Sequence, residues 1–190
     1  MKILLIYPYF LENRLIEDDI RVIPQGLFYI GALLKSRGYD VHILDWHNIQ
    51  QSPGAVEKTL AQMQPDIIGF SILHANRWGG IDISRIAKRV CSRAVVVFGG
   101  VGATHLWRHF LTHFPEIDYI VLGEGEITFL ELVGSLGGEL DRPVESIRGL
   151  GLRKSGRPAR TPERTPIRDL DQLPNPADYF TYQHVALTRG

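Results

Sequence analysis

The chain has 190 residues, 44% of them hydrophobic and 22% charged, which suits one globular domain able to bury a core without disulfide or metal staples. Twenty-one Lys+Arg balance 21 Asp+Glu, so the overall charge argues against a generally basic nucleic-acid binder and against an acidic tail. The single cysteine, Cys91, excludes an internal disulfide, a CxxC redox pair, a structural zinc site and an iron–sulfur cluster held by this chain alone.

The apolar run at Met1–Tyr7 meets Pro8 and is too short for a signal segment. No stretch approaches the ~18 apolar residues that span a bilayer. No membrane span is therefore expected, and the cytoplasm is the expected compartment.

Short apolar runs then alternate with amphipathic stretches. Ile3–Tyr7 reads as a buried strand. Pro24–Arg37 reads as a helix with Leu27, Ile30, Leu33 and Leu34 at helical spacing, stopped by Gly38. Val41–Trp46 follows as a strand, Gly54–Gln64 as a helix ending near Pro65, and Asp66–Leu73 as a strand. Ile81–Cys91 is expected to be helical, burying Ile81, Ile86, Ala87 and Val90. Ala94–Phe98 is a strand closed by Gly99-Gly100, and Thr104–His113 a helix. Asp118–Leu122 is a fifth strand, followed by Gly123-Glu124-Gly125-Glu126 and a helix to about Leu136.

Strands that are apolar throughout are covered on both faces, as in parallel sheets flanked by helices. Five βα units predict an α/β fold: a flavodoxin-like or Rossmann-like doubly wound, five-stranded parallel sheet of order 2-1-3-4-5 over residues 1–138. Beyond Gly138 the texture changes, and six of the eleven prolines fall between Pro143 and Pro176. Residues 139–190 are expected to form a small hairpin around Ser155-Gly156 and then an extended strap or linker.

Ligands of such sheets bind outside the carboxyl ends of the strands, at the switch point. A phosphoryl-receiver site needs carboxylates there, but Tyr7-Pro8-Tyr9 and Ser71-Ile72-Leu73 supply none. A flavin phosphate loop needs glycines and hydroxyls after the first strand, and a dinucleotide site needs GxGxxG; neither is present. What remains is an apolar and aromatic crevice with glycines at two strand ends, suited to a large flat molecule. Gly99-Gly100 and Gly123/Gly125 also fit simple tight turns.

Segments spread over nearly the whole chain resemble a known family. Pro24–Leu34 with Gly38–Val41, Pro65–Ser71, Phe98-Gly99-Gly100 with Ala103-Thr104, Asp118–Val121, Gly123–Glu126, and Ile167–Pro174 are together similar to the cobalamin-binding domain of B12-dependent radical SAM enzymes. Within it, the chain resembles the group that includes the anaerobic magnesium-protoporphyrin ester cyclase. The resemblance implies a module that holds the corrinoid beside a downstream radical SAM barrel. In the family, CxxxCxxC would follow Thr188-Arg189-Gly190, and its thiolates would hold the [4Fe–4S] cluster that cleaves S-adenosylmethionine. This chain is thus expected to be an N-terminal fragment without turnover of its own, its small-molecule substrate binding through the barrel.

By the same resemblance, Ser71 would lie near the cobalamin tail and Gly99-Gly100 would let the tail cross the fourth strand. Gly123, Glu124 and Gly125 would border it. Tyr9, Phe10, Gln25 and Gly26 would lie near the corrin's lower face. For Glu124 and Glu126, charge at a helix start competes with ligand contact. The Asp-x-His-x-x-Gly of methionine-synthase-type domains, whose His ligates cobalt, is missing after the first strand. Asp45-Trp46-His47-Asn48-Ile49-Gln50 imitates its spacing after the wrong strand and without the Gly. Base-off cobalamin without a protein histidine on cobalt is therefore the expected form. The family often has His after Gly-Gly-x; here Gly102 stands there and His105 is displaced.

The missing histidine and Gly102 also admit a stand-alone α/β sensor or interaction domain that has lost its cofactor. A serine hydrolase built on Ser71 lacks both the Gly-x-Ser-x-Gly setting and a base. His105, His109 and His113, spaced i, i+4, i+8, read as a solvated helix face rather than as a metal clip. The arginines from Arg148 to Arg168 read as a solvated strap or as a surface facing the barrel.

Overall fold

The computed structural model describes residues 1–9, 24–46 and 54–181. Five βα units run in order: β1 (Lys2–Tyr7), α1 (Gln25–Ser36), β2 (Asp40–Asp45), α2 (Ala55–Met63), β3 (Ile67–Ser71), α3 (Arg77–Val90), β4 (Val95–Gly99), α4 (Val101–His113), β5 (Tyr119–Val121) and α5 (Glu126–Leu136). A 3₁₀ turn at Val144–Ser146 leads into β6 (Leu150–Lys154) and β7 (Arg157–Arg160).

The five parallel strands stand in the expected order β2-β1-β3-β4-β5. The sheet does not stop at five. β6 pairs antiparallel with β5, and β7 with β6, so the hairpin extends the same sheet to seven strands. The physical reason is that β5 would otherwise be an open edge with unpaired peptide groups. The hairpin turns at Ser155 (φ 50°) and Gly156 (φ 75°), the positive dihedrals that a two-residue turn between twisted strands needs. Its strands are not an independent lobe, because Ile147, Leu150 and Leu152 are buried in the domain core.

The core has two layers, one on each face of the sheet. Under α2, α3 and α4 lie Leu4, Ile6, Ile68, Phe70, Ile72, Val96, Phe98 and Phe110. Under α1 and α5 lie Ile3, Leu5, Tyr7, Ile67, Val97, Val121, Phe129 and Leu132. The period of two along each strand divides these sets, as expected when both faces are covered.

Two helices begin earlier than the sequence suggests. α3 starts at Arg77 rather than Ile81, because Gly79 and Gly80 face the core instead of breaking the helix. A Cβ at Gly79 would lie 2.2 Å from the Tyr9 carbonyl oxygen, and one at Gly80 2.6 Å from Ile72 Cδ1. This turns the buried side of α3 toward Ile81, Ile83, Ser84 and Ala87, leaving Ile86 and Val90 half-buried. α4 starts at Val101 rather than Thr104, since the Gly102 N–H donates back to the Ile72 carbonyl at 2.9 Å.

Several arginines of the expected solvated strap are structural. Arg153 donates to the carbonyls of Leu111, Phe114 and Ile117. Arg164 donates to Thr128 Oγ1 at 2.7 Å and to the Glu131 carboxylate on α5. Arg148 Nε donates to the Glu163 carbonyl at 3.0 Å. None of the described helices is long and apolar enough to cross a membrane.

Candidate functional site

A cleft opens on the α1/α5 face at the carboxyl ends of β1, β3, β4 and β5, enclosing about 650 Å³ of space continuous with solvent. Strand alternation builds its floor. Leu5, Gly69, Ser71, Val97, Gly99 and Val121 all turn to this side. β3 and β4 run in register, with Gly69 opposite Val97 and Ser71 opposite Gly99. The first turns of α1 (Gly26, Leu27, Ile30) and α5 (Glu126, Phe129) form the walls. The walls meet behind the cleft, where a Cβ at Gly125 would lie 3.1 Å from Ile30 Cδ1.

The floor glycines differ in kind. Gly69 is covered from within, since a Cβ there would come within 2.9 Å of Leu5 Cδ2 and 3.0 Å of Phe129 Cζ. Gly99 is open, its nearest neighbours being Val121 Cβ at 3.7 Å and the Phe70 carbonyl at 3.8 Å. Gly100 serves the backbone: its φ is +90°, and a Cβ would fall 2.9 Å from the Ile72 carbonyl oxygen. The helices that start here, α4 at Val101 and α5 at Glu126, have no side-chain cap, and in α4 the Gly102 N–H is bonded to the Ile72 carbonyl.

Of the residues singled out from the sequence, Gly26, Ser71, Gly99, Gly100, Gly123 and Gly125 line this one cleft. Gln25 is exposed beside Gly26 at the start of α1. Glu124 stands between two lining glycines, but its carboxylate accepts the Ile167 N–H at 2.7 Å and so holds the strap. Tyr9 lies away from the cleft: it is buried in the core layer under α3, with its carbonyl against Gly79. Burial, followed by the nearby Asp82 carboxylate, raises the pKa of its phenol above the ordinary value. Phe10, and His47 through Gln50, lie outside the described residues.

Reading the sequence missed the cleft walls, because Leu27, Ile30 and Phe129 have ordinary core character. It also missed Asn76, a fully buried side chain that shapes the rim. Asn76 Oδ1 accepts the Leu73 N–H at 2.7 Å and its Nδ2 donates to the Ser71 carbonyl at 3.2 Å, pinning the loop after β3. Asn one position before a helix was the available signal. His109 and His113 stand ring to ring, 4.6 Å between centroids, but among the described residues no group of three or more His, Cys, Asp or Glu is placed to hold a metal ion.

Comparison with known proteins finds relatives in sequence and in fold. An uncharacterized methyltransferase of Pyrococcus horikoshii is 30% identical over 154 residues, covering 81% of this chain and 33% of that protein. The anaerobic magnesium-protoporphyrin IX monomethyl ester cyclase of Rubrivivax gelatinosus is 31% identical over 153 residues, covering 79% of this chain and 28% of that protein. The chain thus spans about a third or less of these relatives. Among solved structures, the radical S-adenosylmethionine methyltransferase TsrM of Kitasatospora setae, with cobalamin and a [4Fe–4S] cluster bound, shares the fold at a TM-score of 0.70 and 21% identity, over 85% of this chain and 31% of that one. The cobalamin-dependent radical enzyme OxsB, with aqua-cobalamin and S-adenosylmethionine bound, does so at 0.68 and 20%, over 86% and 22%. Residues 17–133 match the family described as the B12 binding domain, and the chain belongs to that family.

Proposed function

We propose that the α1/α5 cleft takes the nucleotide tail of cobalamin and that the corrin ring rests on the carboxyl edge of the sheet. The observation that carries this reading is the open floor at Gly99 beside Ser71, where the backbone can be approached as closely as a flat aromatic group requires. Leu27, Ile30, Val97, Val121 and Phe129 would sandwich the tail's base. The Ser71 hydroxyl and the uncapped first turn of α5 would meet its polar and phosphate groups. Bound cobalamin supplies a cobalt centre for methyl or electron transfer. With the tail's base drawn into the cleft, the cofactor would be base-off. The sequence between β1 and α1, where methionine-synthase-type domains carry their cobalt-ligating histidine, contains none, which supports cobalt without a protein histidine.

In the whole protein we place this module in the cytoplasm, ahead of a radical SAM barrel that would hold the [4Fe–4S] cluster, S-adenosylmethionine and the small-molecule substrate. Residues 1–138 would be the binding domain. Residues 139–190 would lead toward the barrel, first as the sheet-extending hairpin and then as the strap. The relatives that this chain covers only in part support that arrangement.

Titrating the purified chain with hydroxocobalamin tests the reading. The expected result is a shifted visible spectrum and retention of the cofactor on desalting. No shift and no retention would overturn it. After reduction to Co(II), electron paramagnetic resonance should show no nitrogen splitting from an axial ligand. Such splitting would overturn the base-off, histidine-free assignment while leaving cobalamin binding intact. Reading the gene beyond codon 190 tests the barrel: a Cys with two more at CxxxCxxC spacing is expected, and a stop codon favours a free-standing sensor.

A further inference from the structure

We propose that the strap, residues 161–181, is a clasp around α1 that couples cofactor binding to the path of the chain leaving the domain, with Phe180 as a positioning residue for the cleft. This rests on the cobalamin reading above, and it concerns what fixes the distance between the cleft walls.

The strap is tied first to the α5 wall. Arg164 reaches Thr128 and Glu131 on α5, and the Ile167 N–H donates to Glu124, which sits between the cleft-lining Gly123 and Gly125. After 3₁₀ turns at Leu170–Gln172 and Pro176–Asp178, it is tied to α1. The Phe180 ring packs onto the bare backbone at Gly31: a Cβ there would lie 2.9 Å from Phe180 Cζ and 3.1 Å from Ile43 Cδ1. The ring stands edge-on to Phe28, 5.5 Å between centroids, under the Lys35 ammonium at 4.9 Å. Phe28 and Gly31 each follow a cleft-lining residue, Leu27 and Ile30, so they lie about 100° further around α1. α1 is therefore held between the cleft on one side and Phe180 on another.

A ligand lodged between α1 and α5 and a strap that ties α5 to α1 stabilise one wall arrangement. Each must then favour the other by the same factor. Removing the Phe180 anchor would free α1 on its outer side and weaken cobalamin binding. Bound cobalamin would in turn hold the strap down and so fix the direction in which residue 181 leaves the domain.

The test titrates hydroxocobalamin into the wild-type chain and into Phe180→Ala, Phe180→Leu and Gly31→Ala, and follows hydrogen exchange of residues 161–181 with and without the cofactor. Circular dichroism establishes that each variant is folded. Phe180→Ala should bind about 5- to 10-fold more weakly, a typical size for such coupling. Phe180→Leu, which keeps an apolar side chain against α1 without lengthening it, should bind more tightly than Phe180→Ala, and Gly31→Ala, whose Cβ crowds the ring tip, should fall between the wild type and Phe180→Ala. Cobalamin should slow exchange at the Ile167 and Phe180 amides of the wild type. Wild-type binding with Phe180→Ala within twofold of it and unchanged strap exchange overturns the coupling alone. A wild type that binds no cobalamin overturns the functional reading and the clasp with it.

Discussion

Arg153 donates to the carbonyl oxygen of Phe114 at 2.8 Å, and the same guanidinium reaches Leu111 at 3.0 Å and Ile117 at 2.6 Å. A residue of the antiparallel hairpin thereby closes the carboxyl end of α4, where the helix leaves its last carbonyls without intrahelical partners. The planar fork of Arg suits three acceptors at once, which one ammonium does not. Arg153→Met should lower stability by about 2–3 kcal/mol, the scale of hydrogen bonds made by a charged donor, and Arg153→Lys should recover only part of it. Urea unfolding followed by circular dichroism measures both. A midpoint unchanged in Arg153→Met would show the hairpin to be held by β5–β6 pairing and apolar contact alone.

Asp118 performs a similar service between α3 and the sheet. Its Oδ2 accepts the Lys88 ammonium at 2.6 Å and the Val96 N–H at 2.7 Å, while Lys88 also donates to the Ala94 carbonyl at 2.8 Å. The carboxylate thus satisfies a β4 peptide group where pairing with β5 begins. Because the side chains of Lys88 and Asp118 are 28% and 31% exposed, the ion pair itself is screened, and the N–H left unpaired decides the cost. Asp118→Ala should destabilise by about 1–2 kcal/mol, and Lys88→Met by less. Urea midpoints for the two variants test the ranking, and the reverse order would assign the energy to the ion pair.

Tyr39 donates its phenol to the Glu139 carboxylate, linking the start of β2 to the end of α5. Burial, then that hydrogen bond, then the carboxylate charge push its pKa up to about 12, with Arg37 opposing. The unfolded phenol titrates near its ordinary value of 10.0, so the folded state holds its proton more tightly. The contribution is complete below pH 10 and is lost as pH rises through about 12. Wild-type stability should therefore fall more steeply than that of Tyr39→Phe across this window, seen as converging urea midpoints. Parallel pH profiles for the two proteins would refute the link. Tyr7, Tyr9 and Tyr119 are also raised, so both proteins will soften at high pH, and only the difference belongs to Tyr39.

Much of this architecture is legible from local pattern, because apolar runs of five or six residues between amphipathic stretches permit few arrangements other than a doubly wound sheet. The exceptions have physical causes. Gly79-Gly80 lie before the helix expected from Ile81, yet they belong to the first turn of α3, where Tyr9 and Ile72 occupy the space side chains would need. Position after β1 makes Tyr9 a neighbour of the switch point, but only the course of the chain decides which face receives it, and the ring turns under α3. Arg153 and Arg164 look like solvated charge, and Glu124 like a neighbour of the ligand or charge at a helix start, because the partners that hold them lie 33 to 43 residues away in sequence. The cleft floor was within reach: the period of two that assigns the strands also places Gly69 with Ser71 and Val97 with Gly99 on one face.

That floor gives the sharpest separation of stability from binding. Gly99 and Gly102 lie three residues apart, and both would be read as members of one glycine-rich turn. At Gly99 an added Cβ meets only ordinary contacts at 3.7 and 3.8 Å, whereas at Gly102 it meets backbone atoms at 2.8, 2.9 and 3.1 Å. Backbone cannot swing aside as a side chain can, so Gly102→Ala must push the start of α4 away from the loop after β3. It should cost about 1–3 kcal/mol, as overpacking does. Gly99→Ala should leave the urea midpoint near that of the wild type, and Gly99→Val, which projects further into the cleft, should remain folded while losing most cobalamin retention. Comparing urea midpoints with cobalamin retained on desalting separates the two effects. If Gly99→Val keeps its cofactor, the tail does not cross β4, and the floor of this cleft is not where cobalamin lies.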